Sequence, residues 1–146
     1  MLRCSLRIAF ALAVIQIASC SSGETFYPVS GLVKVDGKPA SGALLTFHPD
    51  PPGDPKTTFP ATAKAGTDGK FTVATGANGG VKAGKYFVTI IWPDPNKKLT
   101  DAQRMMGASP DDAPDLLGGR YSTREKSQLQ VEVKPGVKEL PPFELK

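Results

Sequence analysis

Apolar and polar residues alternate in short runs along most of this chain. Turn residues break the runs every ~8–12 positions, the rhythm of a β-sandwich. Val29 to Val35 sets Val29, Gly31, Val33 and Val35 on one face, and Asp36-Gly37 supplies a turn. Ala43 to His48, "ALLTFH", reads as a second strand, and the five prolines between Pro49 and Pro60 mark an irregular loop. Ala61 to Ala65 forms a short third strand, and Thr67-Asp68-Gly69 turns the chain into Lys70 to Ala74. Gly84 to Trp92, "GKYFVTIIW", is apolar on both faces for much of its length, as a central strand should be. Ser127 to Lys134 sends Leu129, Val131 and Val133 inward and Gln128, Gln130, Glu132 and Lys134 outward. Leu140 to Leu145 closes the domain at an edge, because Pro141 and Pro142 cannot donate to a ladder. The pattern predicts an all-β domain over 28–146, with six to seven strands in two packed sheets.

One segment breaks the rhythm. Pro93 to Lys126 spans ~34 residues, far beyond an ordinary strand connection. Thr100-x-x-Gln103 has capping-box spacing, so a single short helix carrying Met105 and Met106 is expected to stop at Gly107. "SPDDAPDLLGGRYSTR" then reads as loop with a turn. Such a partly helical insertion either carries function or covers an open sheet edge.

The N-terminus follows another logic. Arg3 and Arg7 supply charge, Ile8 to Ile17 an apolar run, and Ala18-Ser19 small residues before Cys20. This is the layout of a secretory signal peptide over 1–19, too short for a comfortable bilayer span. The tetrapeptide Ile17-Ala18-Ser19-Cys20 resembles the lipobox of bacterial lipoproteins. That resemblance implies a diacylglyceryl group on the Cys20 thiol, cleavage before Cys20 and often acylation (palmitate or a similar chain) of the new amino group. Two or three chains hold a protein at a membrane where one does so only marginally. Cys4 departs with the leader, so the mature chain keeps Cys20 alone and has neither an intramolecular disulfide nor a Cys-based metal site. Residues 20–27 read as lipidated cysteine and flexible tether. In lipoproteins sorted between two membranes, Ser21 in place of Asp favours the outer membrane over the inner.

Composition fits this picture. Gly (15) and Pro (14) are frequent and dispersed, which suits a turn-rich sandwich. The net charge of +4 falls to +2 once Arg3 and Arg7 leave, and no Lys/Arg stripe remains for nucleic acid.

Within the domain, "VSGLVKVDGKPASGALLTFHPD", "AGTDGKFTV" and "AGKYFVTIIWP" are similar to the carboxypeptidase-regulatory-like, transthyretin-like β-sandwich domain. Gly31, Val33, Gly37, Pro39, Gly42 and Ala43 match its first element, Thr67, Asp68, Gly69 and Phe71 a compressed second, and Gly84, Tyr86 and Val88 the third. The segment from Gly119-Arg120-Tyr121 to Leu140–Leu145 resembles small lipoproteins abundant in planctomycete bacteria. The resemblance implies an Ig-like or transthyretin-like sandwich and leaves activity open.

Catalytic chemistry finds little to work with. His48 is the only histidine, and no nucleophile elbow accompanies it. Hydroxyisourate hydrolases of the transthyretin fold need several His and a C-terminal "YRGS", whereas this chain ends in "FELK". Two-His iron sites and HExxH zinc sites fail on the same count. A Lys–Asn isopeptide bond is disfavoured because Asn78 and Asn96 lie in loops. Asp111, Asp112 and Asp115 form one acidic cluster and Asp50 with Asp54 another; the first is a candidate calcium loop, without EF-hand spacing. Trp92 and Tyr121, with Tyr86 nearby, are candidate sugar-stacking contacts, although a Trp ending an apolar strand more often packs inward. The expected product is a lipid-anchored module of the cell envelope, without catalytic residues and with no cofactor beyond its covalent lipid. It binds an envelope protein or polymer, with the 93–126 insertion the first surface to consider. A carbohydrate-binding module is the alternative, and an enzyme built on His48 a more remote one.

Overall fold

The computed structural model describes residues 25–54 and 58–146. The leader, Cys20 and most of the tether lie outside the described residues. Among the described residues, eight strands make two four-stranded sheets: β1 (Ser30–Val35), β2 (Lys38–Pro39), β3 (Leu44–Asp50), β4 (Ala61–Lys64), β5 (Lys70–Thr72), β6 (Gly84–Ile91), β7 (Leu129–Val133) and β8 (Phe143–Leu145). The first sheet runs β2-β1-β5, with β8 paired parallel to β1. The second runs β4-β3-β6-β7, antiparallel throughout. Mutual Thr62–Ala74 hydrogen bonds join the sheets at one side.

Alternation places the core. Val29, Gly31 and Val33 face inward from the first sheet, and Leu45, Phe47, Tyr86, Val88, Ile90, Val131 and Val133 from the second. Aromatic rings bridge the layers: Phe47 lies 6.2 Å from Phe71 and 6.4 Å edge-on from Tyr86, and Phe71 stacks on Phe143 at 6.0 Å. Gly31 makes room for Phe71, because a Cβ there would stand 2.5 Å from the ring. Gly69, at φ +76°, turns the chain between β4 and β5 where a Cβ would meet the Val33 carbonyl oxygen at 2.6 Å.

The all-β sandwich reading holds, with local differences. The two-residue β2 follows the Asp36-Gly37 turn and adds a strand beyond those the pattern predicts. β3 runs on through Pro49 to Asp50 instead of stopping at His48. Beyond Phe47, β4 no longer pairs with β3, so Pro49 sits on a free flank where its missing N–H is tolerated. Ser127 belongs to a short helix α2 (Arg124–Ser127) and not to β7. Tyr27, assigned to the tether, exchanges both backbone hydrogen bonds with Val81, so order reaches beyond residue 28.

The insertion behaves as its capping box predicts. Helix α1 (Asp101–Met105) has Thr100 as N-cap, with the reciprocal Gln103 bond in place. Gly107 follows at φ +84°. A second capping box, Ser109 with Asp112, opens a 3-10 turn over Pro110–Asp112 that the loop reading missed.

Candidate functional site

The insertion leaves the end of β6 and returns along it. β7 pairs with β6 only from Gly84 to Val88. Beyond that point the return limb takes over the edge: Ile90 N–H donates to the Tyr121 carbonyl at 2.8 Å, Leu116 N–H to the Trp92 carbonyl at 2.8 Å, and Asp94 N–H to the Pro114 carbonyl at 3.0 Å. Ala113 and Leu117 are buried beneath it. One limb therefore covers an edge, while the other lifts α1 away from the sandwich.

Asp115 fixes the return limb. Its Oδ1 accepts from Trp92 N–H (2.9 Å) and Leu117 N–H (3.0 Å), and its Oδ2 from Gly119 N–H (2.9 Å). Neither Asp111 nor Asp112 joins it. Asp111 pairs with Lys64 of β4 at 2.6 Å, a contact exposed enough to contribute under ~1 kcal/mol. Asp112 accepts from Ser109 N–H at 2.6 Å as part of its cap. The candidate calcium cluster is thus divided among three separate tasks, and no group of three or more His, Cys, Asp or Glu among the described residues is placed to hold a metal.

Trp92 points inward. It packs against the core and donates Nε1–H to the Ser41 carbonyl at 2.9 Å, so it serves as a clasp between β6 and the loop before β3. Tyr121 is half-buried against the same core, with the Arg120 guanidinium 6.0 Å from its ring centroid. Arg120, Tyr121 and Lys126 border a shallow depression, and Trp92 takes no part in it. Tyr86 is buried, donates its hydroxyl to the Lys82 carbonyl at 2.9 Å, and is held above its usual pKa by desolvation.

His48 lies on the outer face of the second sheet, with Nε2 3.1 Å from Thr89 Oγ1. Nearby, Arg124 of α2 pairs with Asp50 at 2.8 Å and stacks over Phe87 at 4.2 Å. The Ser127 hydroxyl at the end of α2 bonds the Val88 carbonyl. Sequence reasoning missed this cluster, because its partners are 41 and 74 residues apart and meet only through strand register. Asp50 is thereby an ion-pair partner of Arg124. Among the described residues the hydroxyl bonded to His48 is that of Thr89, and Asp50 faces the guanidinium.

The His48 pKa is lowered from 6.5, first by desolvation and then by the Arg124 charge. Below pH 6.5 the unfolded chain takes up a proton that the folded chain resists, so stability is full above 6.5 and declines as pH falls through the lowered value. Denaturation midpoints at pH 7.5 and about 5 should therefore differ less in His48→Gln than in the parent. Equal differences would detach His48 from the acid sensitivity.

Two large apolar groups in the insertion have no cover. Met105 and Met106 are 89% and 87% exposed, and helix α1 buries none of its residues. At the opposite end, a concavity of about 690 Å³ is bordered by Phe26, Asp50, Phe59, Asn78, Lys82 and Lys85. Comparison with family models, with curated proteins and with solved structures finds no match to this chain.

Proposed function

We propose that this chain is a lipoprotein of the cell envelope, held by acyl chains on Cys20 and favouring the outer membrane, whose transthyretin-like sandwich is a non-enzymatic binding module. The observation that carries the reading is the polarity of β6. Its first residues, Gly84 to Tyr86, border the concavity beside Phe26, where the chain enters the domain, and its last, Ile91, leads into the insertion. Eight residues of strand separate those ends by roughly 23 Å. An anchor at one end and two exposed methionines at the other suit a domain that displays α1 away from a lipid surface. Methionine is adaptable and suits a protein partner. The carbohydrate reading is supported less, since of its two candidate contacts Trp92 is committed to the core and Tyr121 is half-buried against it.

The test has two readouts. Cys20→Ser should move the protein from the membrane fraction to the soluble fraction and abolish incorporation of labelled fatty acid. A Cys20→Ser protein that stays in the membrane fraction, or an unmodified Cys20 thiol in the parent, would refute the anchor. Met105→Asp with Met106→Asp should leave the unfolding midpoint unchanged and remove crosslinking to the envelope partner.

A further inference from the structure

We propose that the end of the sandwich around Phe26 and Phe59 docks on the lipid headgroup layer and orients the domain, an inference that rests on the lipid-anchor reading. Phe59 is 68% exposed in the loop after β3, an unusual position for a Phe in a domain that buries Phe47, Phe71 and Phe143. Phe26 borders the same concavity, with Lys82 Nζ 5.7 Å from its ring centroid and Lys85 on the same rim. Aromatic rings beside lysine stems are the combination that settles at a membrane interface, with the rings at headgroup depth.

The length of chain before Phe26 identifies the occupant. Only Ser21 to Thr25 separate Cys20 from Phe26, which limits the fully extended reach to about 20 Å. No other surface is brought so close to Phe26 by the anchor, and at such distances the effective concentration reaches the millimolar range. A contact too weak to bind a free domain is then largely formed. Charge adds only a modest contribution, because two lysines, Lys82 and Lys85, border the concavity together with Asp50. Docking should therefore depend on the rings and change little with salt.

The experiment uses the full, lipidated protein reconstituted in vesicles of phosphatidylethanolamine and phosphatidylglycerol whose acyl chains are brominated near the headgroup. In the parent, Trp92 is the only tryptophan and lies at the far end of β6, so its emission should be unaffected. Phe59→Trp adds a second emitter at an exposed site that tolerates the change. The added emission should fall about two-fold in brominated vesicles, because an interfacial ring sits within 5–10 Å of the acyl boundary. It should fall equally in low and high salt. Co-flotation with the vesicles but no quenching of the added emission overturns the docking and leaves the anchor standing. Protein that fails to float overturns the anchor, and the docking falls with it. Equal quenching of Trp92 and the added Trp also overturns it, since the domain would then lie unoriented on the bilayer.

Discussion

Phe47→Ala should lower the thermal midpoint of this domain by about 15 °C, corresponding to a loss of 3–5 kcal/mol. Phe47 is fully buried on β3, which has β4 on one side and β6 on the other, and its ring meets Phe71 of the opposite sheet and Tyr86 of its own. Truncation removes the transfer energy of the ring, two aromatic contacts of ~0.5–1.5 kcal/mol each, and leaves a cavity that two sheets held by backbone ladders cannot close. Against a total stability of about 5–15 kcal/mol, that is a large share. Phe59→Ala is the matched control: the same atoms leave an exposed loop, and the midpoint should stay within the shift expected for ~0.5 kcal/mol. Differential scanning calorimetry of both variants separates the cases, and similar shifts would place the core somewhere other than around Phe47.

These two phenylalanines also mark what could be read from the sequence. Phe47 stands in "ALLTFH", which is apolar enough to be read as a strand, and the structure turns Leu45 and Phe47 inward. Period-two logic placed Val29, Val33, Val131 and Val133 correctly. The capping box at Thr100 is an equally local signal, and α1 starts where it says. Local pattern failed wherever a side chain's task was set by register between distant segments. Asp50 and Arg124 are 74 residues apart, and nothing near either one announces the pair. Likewise, the acidic run Asp111-Asp112-x-x-Asp115 reads as one cluster by spacing, but the backbone turns between its members and gives each a different donor. Trp92 could be read as core from its place at the end of an apolar strand, yet its hydrogen bond to Ser41 could not.

Asp115→Ala should cost about 2–4 kcal/mol and release the insertion from the sandwich, because charged acceptors of backbone N–H groups contribute ~1.5–3 kcal/mol each before water replaces them. Three N–H groups lose their acceptor together: Trp92 at the exit from β6, and Leu117 and Gly119 on the return limb. Leu117 is buried directly behind this cradle, so loss of the carboxylate also weakens the apolar seal of the edge that β7 leaves uncovered. Amide hydrogen exchange should accelerate at Ile90, Trp92 and Leu117, while Val33 and Val88 in the sandwich core keep their protection. Asp115→Asn keeps one carbonyl oxygen for Trp92 and Leu117 but turns an amide toward Gly119, so an intermediate loss is expected. A calcium ion at this loop would compete with these N–H groups for the same oxygens, so calcium should not restore the alanine variant. The functional consequence follows from the anchoring: α1 has no buried residue of its own, and its position depends on the limbs that hold it. If Met105 and Met106 are the binding surface, Asp115→Ala should weaken partner capture although it lies outside α1. Capture that survives a freely exchanging return limb would show that the partner reads the helix itself, independent of its placement on the sandwich.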